Sequence, residues 1–433
     1  MGIALLTAVG LLLSACAPAA TGTTAADATT ASAKDTVAAA TSESSASAEI
    51  KDIKFYGKIV EYASGEEICA ALTQSLADQY NVEALQVDWG NLDQVIRTGI
   101  ASGEPCDIYN YWPQYMKPYV DDGMALDLTP YLDANDGEWR SWFSENLLSI
   151  AEYDGKIYNI PITSNFSTIL ANKALFDEAG IEVPKSWTWD AFVSVCEQFK
   201  DYGVFPFANP TDNQKQDWVF SNGILSLGND QGILEDLAAG KIACTEDIFA
   251  TALANTKNLY DSKFMYPGEG AVSLTTDESR AAFYQGKVAF IAEVAAGSLS
   301  VVNDAPFEVV TIEWPSMGSQ SRTMGGCDGL FIPSNVKDPD AAAAVLKEYT
   351  TAAIQQINVD KGYAIAINTV EVNDKALQGI MAASANVYPY EFKSISTELN
   401  DYVISQMLAE LVLGKGAEEC MQAMEDLRLA TVA

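Results

Sequence analysis

Apolar and polar residues alternate along the first part of the chain in a pattern that predicts strands separated by helices. Residues 57–62 predict a strand, and we expect a helix to follow as far as Tyr80, because Ile68, Leu72 and Leu76 recur at helical spacing. The pattern then repeats as a strand over 82–89, a helix over 92–102 and a strand over 106–112. Such an alternation predicts βαβ units, a parallel sheet and a ligand site beyond the carboxyl ends of the strands.

The middle of the chain continues this pattern with longer polar connections. The turn at Asp154-Gly155-Lys156 predicts a hairpin, followed by a strand as far as Leu170. Later elements are predicted as helices over 173–179, from 189 onward, over 277–283 and over 340–349, and as strands over 286–291 and 307–314. The part of the chain from about Ile50 to Ala433, which we call the body, is long enough to form two lobes.

The N-terminal residues differ from the rest of the chain. An apolar run from Leu5 to Leu13 is closed by Ser14, Ala15 and Cys16, which is typical of a secretory signal peptide and shorter than the ~20 residues of a membrane span. A cysteine at the cleavage point indicates a bacterial lipoprotein, so residues 1–16 are predicted to be signal peptide and lipobox. Residues 17–50, rich in Ala, Ser and Thr, predict a disordered tether.

These features predict a protein outside the cytoplasm, held by lipid on Cys16 at the outer face of the bacterial cytoplasmic membrane. Its 433 residues include 59 acidic and 25 basic ones, for a net charge of −34. A surface this acidic repels nucleic acid, so we expect no nucleic-acid partner. The charge also argues against a strongly anionic ligand, unless a local basic pocket overrides it. Solubility outside the cell is the simpler reason for the charge.

The chain contains no histidine, which excludes Ser-His-Asp and Cys-His nucleophiles and removes the commonest metal ligand. Six cysteines follow Cys16, without a C-x-x-C pair or zinc spacing. Their even number permits disulfides outside the cell, whereas their apolar neighbours fit buried thiols equally well. We expect no cofactor and no bound metal.

Five sequence blocks resemble, in this order, the family 1 extracellular solute-binding proteins of ABC importers, in their carbohydrate-binding branch. The blocks are DGKIYNIP, NKALFDEAGI, SWTWDAF, FYQGKVAFI and GGCDGLFIPSNVKDPDAAAAVLKEY. The resemblance implies a two-lobe periplasmic-binding-protein-like α/β fold. Each lobe is expected to hold a mixed, mostly parallel sheet flanked by helices, and hinge strands join the lobes. The resemblance implies crossings near 162–164, 325–330 and 369–373, with lobe I at 51–163 plus 325–372 and lobe II at 164–324 plus 373–433.

A sugar ligand requires flat aromatic rings against its C–H face and polar groups for its hydroxyls. Aromatic candidates end predicted strands or follow the polar loop 211–217: Tyr62, Tyr111, Trp112 and Trp218. By resemblance to maltodextrin-type binders, Tyr62, Tyr111 and Trp218 match positions whose aromatic side chains line the cleft. Core packing is the alternative for each ring.

Polar candidates lie in the first strand–helix turn and beside the predicted crossings: Ser64, Glu66, Asn165, Glu293 and Asp328. Glu66 has an alternative role, because an acidic residue in a first helical turn stabilises the helix dipole. The glycines beside Asp328 favour a backbone turn or a close approach of the lobes.

Together these features predict a monomeric binding lipoprotein, not an enzyme. It would capture a mono- or oligosaccharide in the interlobe cleft by hinge closure and deliver it to the permease subunits of an ABC transporter. Two alternatives stay open: a secreted glycoside hydrolase that uses two carboxylates, and the same fold with a peptide or other polar solute as its ligand.

Overall fold

The computed structural model describes residues 50–57, 59, 63–77, 79–88, 91–212, 215–228, 232–388 and 392–432. The predicted signal peptide, Cys16 and all but the last residue of the predicted tether therefore lie outside the described residues. No helix within these ranges is long and apolar enough to cross a membrane.

The strands are short except for two near the middle of the sheet. They are β1 (Lys51–Tyr56), β2 (Tyr80–Leu85), β3 (Ile108–Tyr111), β4 (Glu152–Tyr153), β5 (Lys156–Ile157), β6 (Ile160–Asn172), β7 (Phe205–Ala208), β8 (Val288–Val294), β9 (Val309–Ile312), β10 (Thr323–Phe331) and β11 (Val387–Tyr388).

Helices account for most of the remaining regular structure. The α-helices are α1 (Gly65–Leu76), α2 (Leu92–Ser102), α3 (Lys117–Asp121), α4 (Thr129–Leu132), α5 (Ala134–Gly137), α6 (Glu145–Ser149), α7 (Lys173–Ala179), α8 (Trp189–Tyr202), α9 (Trp218–Leu227), α10 (Ile233–Ala238), α11 (Asp247–Asp261), α12 (Thr276–Tyr284), α13 (Ala295–Asp304), α14 (Pro339–Tyr349), α15 (Ala352–Asp360), α16 (Lys375–Ala383), α17 (Thr397–Ser405), α18 (Met407–Val412) and α19 (Ala417–Val432). Single 3₁₀ turns lie at Pro113–Tyr115, Arg140–Trp142, Ala271–Ser273, Ser384–Asn386 and Phe392–Ser394.

The two long strands connect the halves of one nine-stranded mixed sheet, whose main order is β2-β1-β3-β10-β6-β8-β7. β1 pairs in parallel with β2 and β3, and β7 with β8. β10 runs antiparallel to β3 and β6, and β6 runs antiparallel to β8 and β9. Residues 160–166 of β6 pair with β10, whereas residues 167–172 pair with β8 and β9. One strand therefore belongs to both halves.

This architecture confirms the predicted two-lobe α/β fold class. β10 also pairs in parallel with β11, so parallel and antiparallel pairs both occur at the crossing strands and the sheet is mixed. Separate hydrophobic cores form at the two ends: one around Phe55, Ile108 and Leu346, another around Phe192 and Phe290. The predicted residue limits of the lobes stay a prediction.

The first two elements begin and end elsewhere than predicted. The first strand, β1, lies at Lys51–Tyr56, before the segment 57–62 where we expected it, and it buries Ile53, Phe55 and Tyr56. Of the segment 57–62, only residues 57 and 59 are described, and neither lies in a strand. The helix expected to reach Tyr80 ends at Leu76, because Tyr80 begins β2 and pairs with Lys51.

Two of the three expected crossings are strands. Residues 162–164 lie in β6 and residues 325–330 in β10. The third, over 369–373, is irregular backbone between α15 and α16. The six cysteines that follow Cys16 are free thiols in this structure: Cys196, Cys244, Cys327 and Cys420 are buried, and Cys69 and Cys106 are half-buried.

The paired glycines of β10 provide a matched test of packing at the crossing. A Cβ at Gly325 would lie 2.6 Å from the Asn165 carbonyl oxygen and 2.7 Å from Phe166 Cβ, both fixed by β6. A Cβ at Gly326 would instead meet the Gln114 side-chain amide, which can rotate away. We therefore expect Gly325→Ala to lower the free energy of unfolding by about 3 kcal/mol and Gly326→Ala to lower it much less, as measured by denaturant unfolding. Equal losses would contradict this account.

Candidate functional site

A cavity of about 280 Å³ lies beside the crossing strands and takes its walls from both halves of the sheet. Its lining combines aromatic rings, amides, a hydroxyl group and charged groups: Trp112, Gln114, Tyr115, Asn165, Phe166, Ser167, Lys215, Asp217, Trp218, Lys393 and Asn400. We call this space the central cavity.

Asn165 is the one exposed position of β6, within thirteen residues that are otherwise buried. It pairs with Gly326 of β10, and the Gln114 side chain fills the space above that glycine. Because Gly326 has no side chain, the amides of Gln114 and Asn165 both fit at the floor of the cavity. Amides both donate and accept hydrogen bonds, as sugar hydroxyls do.

Trp218 is positioned by the loop that precedes α9. The Lys215 carbonyl accepts a hydrogen bond from Asn209 Nδ2 (3.0 Å), and the buried Lys215 ammonium donates to Thr276 Oγ1 (2.6 Å). Asp212 accepts hydrogen bonds from the backbone N–H and the hydroxyl of the same Thr276. Both ends of the loop are thus fixed to the start of α12, and the first residue of α9 is held at the cavity wall.

Asn222 ties α9 to both crossing strands. Its Nδ2 donates to Ser167 Oγ on β6 (3.2 Å), and its Oδ1 accepts from the backbone N–H of Met324 on β10 (2.7 Å). The helix that carries Trp218 is therefore connected to the two strands that form the cavity floor.

The segment that follows β3 forms the wall of the central cavity that contains Trp112. The rings of Trp112 and Tyr111 have centroids 5.5 Å apart, and those of Trp112 and Tyr115 are 6.1 Å apart. The Lys393 ammonium lies 5.0 Å from the Tyr115 centroid and 5.8 Å from the Trp112 centroid. Burial and the carboxylate of Asp93 raise the pKa of Tyr111 to about 12, so its phenol stays protonated at neutral pH.

Glu293 lies on β8, close to Lys215 in the loop before Trp218, and is almost fully buried. Its Oε2 accepts from Arg280 Nε (2.6 Å) and its Oε1 from the backbone N–H of Val294 (2.8 Å), while Lys215 Nζ lies 4.0 Å from Oε1. Both carboxylate oxygens are therefore engaged within the protein. A direct contact between Glu293 and the ligand stays a prediction.

Three further predicted site residues, Ser64, Glu66 and Asp328, are not among the residues that line the central cavity. Ser64 is buried and donates to Asn358 Oδ1 (2.5 Å), and Glu66 is exposed in the first turn of α1. Asp328 is buried beside β6 and accepts from Thr163 Oγ1 (3.2 Å). Tyr62 lies outside the described residues. Their ligand contacts stay predictions.

Of the predicted residues, the structure brings Trp112, Asn165 and Trp218 together in the central cavity. Sequence reasoning missed Gln114 and Tyr115, although both lie in the turn after Trp112 and share its position at a strand end. It also missed Lys393 and Asn400, for which the local sequence carries no signal because they reach the cavity only through the tertiary packing of the C-terminal helices.

The model of a family described as bacterial extracellular solute-binding protein matches residues 56–356. The chain belongs to this family. Family membership supports a location outside the cytoplasm and a role in binding solutes. Within the described residues, no group of three or more Cys, Asp or Glu side chains is arranged to hold a metal ion.

The chain is similar to several binding proteins. A putative binding protein of Brucella abortus is 26% identical over 60% of this chain, and the match spans 62% of that protein's length. The diacetylchitobiose binding protein DasA of Streptomyces coelicolor is 24% identical over 69% of this chain and 67% of its own. Apo RafE of Streptococcus pneumoniae superposes with a TM-score of 0.75 at 19% identity, covering 89% of this chain and 98% of that one. RafE in complex with raffinose has a TM-score of 0.69 at 19% identity, covering 88% of this chain and all of that one.

Proposed function

We propose that this protein captures a carbohydrate outside the cell and delivers it to the permease of an ABC importer. The observation that carries the proposal is the central cavity, in which indole rings on separate elements, Trp112 and Trp218, accompany the amides of Gln114 and Asn165. Rings cover the C–H face of a sugar, and amides bond its hydroxyls. The names of DasA and of the RafE–raffinose complex support the same ligand class.

Ligand binding would close the hinge without making or breaking a covalent bond in the ligand. A ligand that contacts both walls stabilises the closed form by its differential affinity for that form. The strands that cross between the halves, β6 and β10, supply the hinge. The permease would then recognise the closed form, and a lipid on Cys16 would keep the protein, as a monomer, near that permease.

The cavity favours binding over hydrolysis. A glycoside hydrolase requires two carboxylates across the scissile bond. Among the described lining residues of the central cavity, Asp217 is the single carboxylate, and it already accepts a hydrogen bond from Ser221 Oγ (2.5 Å).

A thermal-shift screen tests the proposal directly. The folded protein is heated with galactose, melibiose, raffinose, xylose, xylo-oligosaccharides, N-acetylglucosamine and chito-oligosaccharides, and with di- and tripeptides as the competing class. Ligand binding to the folded state must raise the melting temperature. A rise with at least one sugar, with that sugar recovered intact, supports the proposal. A rise with peptides alone, or cleavage of a sugar, would overturn it.

A further inference from the structure

The Lys393 ammonium lies over ring surface that the proposed sugar would use. Its nitrogen is 5.0 Å from the ring centroid of Tyr115 and 5.8 Å from that of Trp112, and all three side chains line the central cavity. An ammonium group is attracted electrostatically to the face of an aromatic ring. A sugar ring packs its C–H groups against the same kind of face. Lys393 and a neutral sugar therefore compete for the same two surfaces.

The other charged groups that line the central cavity have polar partners inside the protein. The Lys215 ammonium donates to Thr276 Oγ1 (2.6 Å), and the Asp217 carboxylate accepts from Ser221 Oγ (2.5 Å). Lys393, by contrast, is exposed and forms no salt bridge within the described part of the chain. Its contact with the two rings is therefore the interaction that holds its ammonium, and the side chain can leave them without opening a void in the core.

A second cavity, of about 730 Å³, gives the ammonium a place away from the sugar. We call it the side cavity. It shares Lys393, Trp112 and Tyr115 with the central cavity, so the same lysine borders both spaces. The charged groups that complete its lining are three carboxylates and one ammonium: Asp121, Asp122, Glu152 and Lys117. This excess of carboxylates favours a further cation there.

Glu152 is the carboxylate best suited to receive the displaced ammonium. Asp121 already pairs with Lys117 (2.8 Å), and Asp122 pairs with Arg97 (3.2 Å). Glu152 is exposed on β4 and has no salt bridge to any residue that the structure describes.

From these contacts we propose that Lys393 makes an autoinhibitory contact. Its ammonium covers Trp112 and Tyr115 in the free protein, and a neutral sugar must displace it toward Glu152 in order to bind. The inference rests on the proposed function and names a residue that sets its affinity. Because the ring faces become available only when the lysine has left them, the cost of displacement lowers the observed affinity. Loss of Lys393 should therefore strengthen binding, whereas loss of a ligand contact would weaken it.

Three lysine variants test the contact by titration calorimetry with galactose, melibiose, raffinose, xylobiose and the β-1,4-linked dimer of N-acetylglucosamine. Lys393→Ala is expected to bind the sugar about fivefold more tightly than the wild type, because the rings are already uncovered. Lys393→Arg keeps a cation over the rings and is expected to bind no more tightly than the wild type. Lys241→Ala removes an equal charge from an exposed pair with Asp236 (2.7 Å) that lines neither cavity, and it should leave the affinity unchanged.

A double-mutant cycle tests where the ammonium goes. Glu152→Gln is expected to weaken sugar binding about twofold in the wild type, because the displaced lysine loses its counter-charge. In the Lys393→Ala background the same substitution should have no effect, since no ammonium remains to be received. An equal effect of Glu152→Gln in both backgrounds would overturn the part assigned to Glu152.

The outcomes separate this inference from the proposed function. Weaker binding by Lys393→Ala would make Lys393 a ligand contact and overturn the autoinhibitory contact, while the proposed function stands. Tighter binding by Lys393→Arg or Lys241→Ala, to the same extent as by Lys393→Ala, would overturn it as well, because the gain would then not depend on uncovering the rings. Failure of every sugar to bind both the wild type and Lys393→Ala overturns the inference and the proposed function together.

Discussion

Replacement of Trp218 by Ala is expected to weaken binding of the tightest sugar from the screen by about 30-fold, equivalent to ~2 kcal/mol. Trp218 is half-buried at the start of α9 and presents its ring to the central cavity, where Lys215 Nζ lies 5.9 Å from the ring centroid. Removal of the indole takes away the flat surface on that side while the strands beneath keep their hydrogen bonds. Calorimetry on the folded variant measures the loss.

Controls separate this effect from a general loss of packing. Trp218→Phe keeps a flat ring and should recover most of the affinity. Trp142, whose ring centroid lies 5.3 Å from the Lys347 ammonium, is not among the residues that line the central cavity, so Trp142→Ala should leave the affinity unchanged. Trp112→Ala should resemble Trp218→Ala, because the Trp112 indole also lines the central cavity. Wild-type affinity in both the Trp112 and Trp218 variants would show that the sugar binds elsewhere.

Glu293→Ala is expected to lower the free energy of unfolding by about 3 kcal/mol. The Glu293 side chain is 1% exposed, and its removal leaves Arg280 and Lys215 close together without their shared counter-charge. The same loss should loosen the loop that holds Trp218. Denaturant unfolding measures the first effect and calorimetry the second.

The result also decides what Glu293 does. A variant with wild-type stability and no sugar binding would make Glu293 a ligand contact, as its position after a strand predicted. Marked destabilisation with a modest loss of affinity would make it a positioning residue. Asp177→Ala provides the comparison, because Asp177 forms an exposed i,i+4 pair with Lys173 and such pairs contribute little.

Local signals made parts of the fold predictable. The helix over 173–179 is bounded as expected, because the Asn172 side chain accepts from the Leu175 N–H and Gly180 ends the helix with a positive φ. Such caps depend on a few adjacent residues and are visible in the sequence. The position of β1 was harder to predict, because half of its six residues are charged and its buried residues, Ile53, Phe55 and Tyr56, do not follow a strict alternation.

The site was predictable where it coincides with strand ends and hidden where it depends on tertiary partners. Trp112 and Asn165 were predictable as site residues, because Trp112 directly follows β3 and Asn165 lies in the crossing strand β6. Ser64 has the right place in a strand–helix turn, yet its hydroxyl bonds Asn358, nearly three hundred residues further along the chain. No local pattern reports a partner at that distance, and the same holds for Lys393 against Tyr115.

Because β6 passes through both halves of the sheet, the residues proposed to set closure differ from most of those proposed to contact the ligand. The extent of the proposed closure would depend on backbone at the crossing, where a side chain at Gly325 would collide with β6. The choice of ligand would depend mainly on side chains in turns and at helix starts, such as Gln114 and Trp218. We therefore expect substitutions at those positions to change the preferred ligand and to leave the proposed closure unchanged.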